Sequence, residues 1–258
     1  MAKIDQHVFQ KAYLKARRKI DSASDTDLKI KAGPLKGYKW SLSIDNNKYL
    51  IGIYETDMAE KFHKYVKPGS VVFDVGANAG YFTMLSGMLT GNTGKVYAFE
   101  PMPANLSLLN HHLSANEVTN VEVISKALSN QKGEVQFTNS DNLAANTYVA
   151  DSPMFQQSSG TITVETISMD ELLEENPEVR PPNLIKIDVE GAELDVLKGA
   201  RKTFLNHRPI LFLATHDCHI PGIKQECFNF LEGIGYQIDE IKDDKIDGQE
   251  DVIATFRV

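Results

Sequence analysis

Apolar runs alternate with amphipathic stretches between residues 71 and 213, and this alternation predicts a repeating strand–helix fold. The apolar run Val71–Val75 predicts a buried strand, the pattern over 81–89 predicts a helix, and Lys95–Phe99 predicts a second strand. Repeated units of this kind build a mostly parallel sheet with helices on both faces. We therefore expect a doubly wound α/β domain.

The other elements follow from the same periodicities and from turn signals at glycine and proline. Helices are predicted at 58–66, 103–115, 170–175, 194–205 and 223–233, and strands at 121–128, 133–138, 161–169, 184–190 and 210–213, with a closing hairpin at 236–241 and 252–258. The polar loop 139–160 is long for a compact domain; a cover over an acceptor pocket and plain disorder are both open interpretations.

The chain before residue 71 has a different character. Alternation over 28–30 and 40–44, with a turn at 45–48, predicts a hairpin, and residues 1–20 follow a basic, loosely amphipathic helical pattern. We expect residues 1–66 to form a small helix and hairpin cap and residues 67–258 to form the main domain.

Charge and cysteine content narrow the class of partner. The 258-residue chain has a net charge of −8 and a pI near 5.4, whereas general nucleic-acid binders present a basic surface. A neutral or cationic small molecule, or a sugar, suits this chain better. Cys218 and Cys227 imply no disulfide framework, and no long apolar segment predicts a signal peptide or membrane span. We expect a cytoplasmic protein, and no pattern addresses its oligomeric state.

A glycine turn follows the first core strand. Asp74, Gly76 and Gly80 form the pattern Asp-x-Gly-x-x-x-Gly where the strand gives way to a helix. Glycines there permit the turn and a close backbone approach to a ligand. Dinucleotide sites instead carry Gly-x-Gly-x-x-Gly, with glycine where Asp74 stands. An acid at that position suits a cationic or amino group, which favours S-adenosylmethionine (SAM) over a pyrophosphate.

An acidic residue ends the second core strand. Glu100 lies twenty residues after Gly80, where a carboxylate can accept the protons of both ribose hydroxyls. The helix at 81–89 points its N-terminus at the same place, so its free N–H groups and the Thr83 hydroxyl suit the carboxylate of SAM. In the alternative interpretation, Glu100 only caps a strand and Gly76 only forms a turn.

One face of the predicted strand 184–190 is charged. Lys186, Asp188 and Glu190 alternate with apolar residues, although a central parallel strand is usually apolar on both faces. Buried charges are costly unless they are paired. Either Lys186 and Asp188 neutralise each other, or the charged residues line a wet cleft at the strand's carboxyl end, where ligands bind in such folds.

These blocks resemble the FkbM family of SAM-dependent methyltransferases. The resemblance is carried by DVGANAGYFT at 74–83, YAFEP at 97–101 and KIDVEGAE at 186–193, and it extends over about residues 52–216. It implies the Rossmann-like class I methyltransferase fold, with seven strands, and SAM as the methyl donor. It also implies methylation of a small-molecule hydroxyl on a sugar, a polyketide or another metabolite. The acceptor's identity and the choice between O- and N-methylation are open.

The resemblance and the strand ends together give a candidate site. The candidate cofactor-binding residues are Glu55, Asp74, Gly76, Asn78, Gly80, Thr83, Glu100, Pro101, Asn105, Ala127 and Asp188. His216 is the candidate general base, because an unperturbed imidazole titrates near neutral pH, with Asp188 and Glu190 placing the hydroxyl or orienting the ring. The family has Glu-x-His here, whereas this chain has Ala214 two residues before His216, which puts the acid's role in doubt. In the simpler alternative, His216 caps its strand and Asp188 pairs with Lys186.

The sequence also bears on metal binding and on functions other than methyl transfer. His216 to His219 are adjacent residues whose side chains point to opposite sides of an extended chain, so we expect no structural zinc; a weakly held divalent ion near Asp188 is left open. Two alternatives to methyl transfer remain. A SAM-binding protein without catalysis is kept open by Ala214, and a nicotinamide-dependent oxidoreductase is disfavoured by Asp74.

Overall fold

The computed structural model describes residues 27–41, 47–138, 161–241 and 249–257. Within these ranges, none of the helices has the length and apolar character needed to cross a membrane. The predictions for residues 1–20 and for the loop 139–160 lie outside the described residues.

Helices and strands alternate along most of the chain. In chain order they are β1 (Asp27–Lys29), β2 (Lys39–Ser41), α1 (Asn47–Ile51), α2 (Thr56–Tyr65), β3 (Val71–Val75), α3 (Tyr81–Thr90), β4 (Lys95–Phe99), α4 (Pro103–Ala115), β5 (Val121–Ile124), β6 (Ala127–Leu128), β7 (Gly133–Thr138), β8 (Thr161–Ile167), α5 (Met169–Glu175), β9 (Leu184–Ile187), α6 (Glu193–Gly199), α7 (Arg201–His207), β10 (Ile210–His216), α8 (Ile223–Gly233), β11 (Tyr236–Glu240) and β12 (Gln249–Phe256).

The main sheet confirms the predicted architecture. Its strand order is β11-β12-β10-β9-β3-β4-β5, and β12 pairs antiparallel with both β10 and β11, whereas the other pairs are parallel. The chain builds outward from β3 to β4 and β5, and then returns to build β9 and β10 on the other side. Such a reversal of strand order opens a crevice at the carboxyl ends of the strands, where ligands bind.

Two predicted elements divide, and a third ends where the chain turns. The predicted strand 121–128 divides, because β5 joins the main sheet whereas β6 pairs with β8 in a separate sheet of order β6-β8-β7. The predicted strand 184–190 ends at Ile187 because the chain turns, with a φ of 54° at Glu190. The predicted helix 194–205 divides into α6 and α7 at Ala200.

The two faces of the main sheet bury separate apolar clusters. Phe73 and Val75 of β3 pack on one face with residues of β4, β9 and β10, whereas Val72 packs on the other with α3. The N-terminal elements belong to this second cluster, through the buried Trp40 and its ring stacked on Tyr49 at 4.6 Å. The predicted hairpin is confirmed as the antiparallel β1–β2 pair. Helix α1 begins at Asn47, within the stretch 45–48 for which a turn was predicted. A domain boundary at residue 66 stays a prediction.

Candidate active site

A cavity of about 600 Å³ lies at the carboxyl ends of β3, β4, β9 and β10. We call it the central cavity. Its wall includes Tyr54, Glu55, Gly76, Asn78, Glu100, Pro101, Asn105, Ala127, Lys186, Asp188, Glu190, His216, Gln249 and Asp251. The fold therefore brings most of the sequence-predicted site residues to one place.

The glycine turn joins the ends of two neighbouring strands. The N–H groups of Gly76 and Ala77 both donate to the carbonyl of Phe99, at the end of β4, at 3.0 Å. Gly76 has a φ of 80°, and a Cβ at this position would lie 1.9 Å from the carbonyl oxygen of Asp188. Glycine is required here because the turn touches the backbone after β9, which sets the floor of the central cavity.

Glu100 is held by three donors at the end of β4. Its Oε2 accepts from the Asn78 N–H at 2.8 Å, and its Oε1 accepts from the Met102 N–H at 2.9 Å and from Asn105 Nδ2 at 3.2 Å. A carboxylate has about four acceptor positions, so one is left for a ligand. Burial raises the pKa of Glu100, and the three donors oppose that rise. Beside it, Asn105 Oδ1 is buried and has no hydrogen-bond donor among the described residues.

Asp74 and Thr83 lie behind the cavity wall. Asp74 is 1% exposed, and its Oδ2 accepts from the Thr83 hydroxyl at 2.6 Å. Neither residue lines the central cavity, and Gly80, which packs closely on Leu109, does not line it either. The direct contacts of these three residues with a cofactor stay a prediction, and in this structure the Thr83 hydroxyl is hydrogen-bonded to Asp74.

Lys186 links two carboxylates at the floor of the central cavity. Its Nζ lies 3.1 Å from Asp188 Oδ2 and 3.8 Å from Asp74 Oδ1, and its side chain is 5% exposed. Burial alone would lower the pKa of Lys186, but the two carboxylates raise it above its ordinary value. The two interpretations of the charged strand, a neutralising Lys186–Asp188 pair and a cleft lined by charged residues, are therefore compatible. Lys186 and Asp188 are paired, and Asp188 also lines the cavity.

His216 is held by the carboxylate of Glu193, which the sequence patterns did not identify as its partner. Its Nδ1 lies 2.5 Å from Oε1 of the fully buried Glu193, which also accepts from the Gly191 N–H at 3.0 Å. On the other side of the ring, Nε2 is 3.6 Å from Asp188 Oδ1 and 3.7 Å from Glu190 Oε2. Burial would lower the pKa of His216, but these carboxylates raise it to about 9. The pKa of His216 in this arrangement lies above the near-neutral value of a free imidazole, and its role as general base stays a prediction.

Three further polar residues reach the site without a sequence signal for their roles. Glu193 ends the KIDVEGAE block, but its partner, His216, is 23 positions away. Asp251 on β12 reaches the central cavity through the antiparallel strand pair, and no sequence motif marks it. His219, which its sequence position suggested only as a zinc ligand, has its Nε2 2.6 Å from Glu190 Oε2.

Glu55 lines the central cavity in a strained conformation. Its φ is 41°, and Asn78 and Glu190, with φ values of 49° and 54°, also line the cavity. Left-handed non-glycine residues concentrate at functional sites because their strain must be held by the surrounding structure. Burial, with the nearby Asp188 carboxylate, raises the pKa of Glu55 to about 7.

The chain is similar to known proteins that are described as methyltransferases. A family model described as the methyltransferase FkbM domain matches residues 74–242. Hexuronic acid methyltransferase AglP of Haloferax volcanii is 33% identical over 145 residues, covering 56% of this chain and 56% of that protein. Methyltransferase 1 of Beauveria bassiana is 27% identical over 145 residues, covering 50% of this chain and 58% of that protein. The chain thus spans little more than half the length of these two relatives.

Solved structures match in fold. A structure of methyltransferase FkbM from Methylobacillus flagellatus aligns with a TM-score of 0.53 and 20% identity, covering 81% of this chain and 52% of that chain. A structure described as a putative rRNA-methylase from Clostridium thermocellum aligns with a TM-score of 0.51 and 12% identity, covering 77% of this chain and 92% of that chain. At these identities the likeness concerns the fold alone.

Proposed function

The chain belongs to the FkbM methyltransferase family, and from this membership we propose that it transfers a methyl group from SAM to a hydroxyl oxygen of a small-molecule acceptor. The observation that carries the proposal is the central cavity. It joins a nucleoside-type wall around Glu100 to a second wall formed by Asp188, Glu190 and His216. We call these three side chains the Asp–Glu–His cluster.

The wall around Glu100 fits a nucleoside. Glu100 keeps one acceptor position, and the buried Asn105 Oδ1 lacks a donor among the described residues, so both oxygens suit the hydroxyl donors of a ribose. A cavity of about 600 Å³ also falls within the usual size range of small-molecule sites. We assign the ribose to Glu100 and Asn105, and the adenine to Pro101 and the backbone of Ala127.

The remaining candidate cofactor residues are assigned to the methionine part of SAM. Residues 76–78 and Glu55 also line the central cavity, together with Asp188 of the second wall. We assign Glu55 to the ammonium group of SAM because its carboxylate lines the cavity, whereas the Asp188 carboxylate is already paired with Lys186. SAM, when bound, supplies a methyl group that its positively charged sulfur makes electrophilic.

The Asp–Glu–His cluster is proposed to receive the acceptor hydroxyl. Its carboxylates accept the hydroxyl's hydrogen bond and place the oxygen, which is the main contribution an enzyme makes to a displacement on an activated methyl group. Because His216 is surrounded by carboxylates, we assign it to placing the acceptor with Asp188 and Glu190, and we assign proton removal to the cluster as a unit. Glu193 holds the His216 ring in the cluster, although Ala214 stands where the family has an acid.

Two measurements test the proposal and separate the alternatives. Calorimetric titration of the full chain with S-adenosylhomocysteine (SAH) and with NAD should give binding of SAH alone; binding of NAD alone would support the oxidoreductase alternative. The protein is then incubated with methyl-deuterated SAM and a metabolite extract, with sugar derivatives as the first acceptor class because one relative is named a hexuronic acid methyltransferase. A labelled product supports catalysis, whereas SAH binding without any labelled product supports the non-catalytic alternative.

A further inference from the structure

Three side chains of mixed chemistry converge at one point of the central cavity. One carboxylate oxygen from Asp188, one from Glu190 and one imidazole nitrogen from His216 all lie within 4.8 Å of one another. The separations of 3.6 Å and 3.7 Å between His216 Nε2 and the two oxygens are too long for hydrogen bonds. Ligand atoms that share a metal ion at about 2.1 Å lie roughly 3–3.5 Å apart, so a small inward movement would close the set around an ion.

The imidazole is fixed in the orientation that such a ligand needs. His216 is 3% exposed, and its Nδ1 is held by the fully buried Glu193. Nε2 is therefore directed between the two carboxylates, and it has no hydrogen bond to any other group in the described ranges. Histidines that bind metals characteristically donate their other ring N–H to a carboxylate, which fixes the ring and its tautomer.

Supporting contacts hold both carboxylates of the cluster in place. Asp188 holds Lys186 through Oδ2, which leaves Oδ1 facing His216. Glu190 is held at Oε2 by His219 Nε2 at 2.6 Å, which fixes its carboxylate in the cluster. Such supporting hydrogen bonds orient the first set of ligands and increase metal affinity.

We propose that Asp188, Glu190 and His216 bind one divalent cation that accepts both oxygen and imidazole ligands, and we take Mn²⁺, which suits the two carboxylates, as the probe. Three protein ligands leave positions open toward the cavity, unlike the closed four-ligand sets of structural zinc sites. The positive charge would favour the deprotonated form of an oxygen placed beside it. The role of the cation beside an acceptor hydroxyl rests on the proposed function. The binding of the cation to the cluster is independent of the proposed function.

Metal binding can be measured without any substrate. The full chain is stripped with EDTA, exchanged into buffer at about pH 7.5 and titrated with Mn²⁺ while free Mn²⁺ is followed by electron paramagnetic resonance. We expect one site per chain, with affinity reduced about a hundredfold in Glu190→Gln and in His216→Gln and about tenfold in Glu193→Gln. Glu122→Gln is the control, because it removes an exposed carboxylate that lies outside the central cavity. Its affinity should stay within about threefold of the wild type.

The outcomes separate this inference from the proposed function. Absence of a stoichiometric Mn²⁺ site in the wild type would overturn the inference. Equal losses of affinity in Glu122→Gln and Glu190→Gln would also overturn it, since that pattern means diffuse charge attraction. SAH titrations of the same samples report on folding and on the cofactor wall. SAH binding without Mn²⁺ binding leaves the proposed function standing without a metal, whereas Mn²⁺ binding without SAH binding refutes the proposed function and keeps the metal site.

Discussion

Replacing Gly76 by alanine should destabilise the protein well beyond the cost of an unfavourable backbone angle. A residue with a side chain in the left-handed region costs about 1–2 kcal/mol. The new Cβ would also lie 1.9 Å from the Asp188 carbonyl oxygen, so either the turn or the end of β9 must move by about 1 Å, which costs about 1–3 kcal/mol more. We therefore expect a total loss of about 2–5 kcal/mol in the free energy of unfolding.

Gly37 provides a matched control for this substitution. Its φ is 94°, close to the 80° of Gly76, but a Cβ on Gly37 would have nothing within 4 Å. Urea unfolding of Gly37→Ala should thus show only the loss of about 1–2 kcal/mol from the backbone angle. Gly76→Ala should also weaken SAH binding, because it displaces Asp188, whereas Gly37→Ala should not. Equal destabilisation by the two variants, with SAH binding intact in both, would refute the close approach of the turn to the Asp188 backbone.

Three further substitutions test the central cavity. Glu100→Gln places an amide N–H₂ group beside the backbone N–H donors of Asn78 and Met102. Calorimetry should therefore show SAH binding weakened about tenfold to a hundredfold. Glu122→Gln, at an exposed position, should leave SAH binding unchanged. The pKa of Glu55 is about 7 and its carboxylate is assigned to the ammonium group, so SAH affinity should fall up to about tenfold from about pH 8 to about pH 6. Glu55→Gln should remove this pH dependence. If SAH affinity still changed with pH in the variant, Glu55 would be excluded as the source. Lys186→Met leaves Asp74 buried without its cation and should lower the free energy of unfolding in urea by about 3–5 kcal/mol; a change below about 1 kcal/mol would contradict the buried pairing.

Periodicity alone predicts most of the fold. The apolar run at 71–75, the strand at 95–99 and the helices at 103–115 and 223–233 all agree with the structure, because burial on one or two faces leaves a regular pattern. The pattern failed at 127–128, where the chain leaves the main sheet to pair with β8. Alternation reports that a segment is extended, and it does not report which strand will be its partner.

The candidate site was predictable where a motif supplied it. Glu100, Asn105 and Ala127 reach the central cavity as their positions after strands suggested. The pKa of His216 could not be predicted, because it is set by carboxylates on segments 23 to 28 residues earlier in the chain, Glu193 at the nearer end and Asp188 at the farther. Sequence patterns locate strand ends, whereas the distances between their side chains depend on how the whole sheet twists and packs.

The central claim is that this chain transfers a methyl group from SAM, and its most direct test is mass spectrometry of the products formed with methyl-deuterated SAM and the metabolite extract. The account predicts a small molecule that carries one labelled methyl group, formed in step with SAH and reduced in Glu100→Gln at SAM concentrations that no longer saturate the variant. A well-folded protein that binds SAH but transfers no label to any component of the extract would contradict the claim.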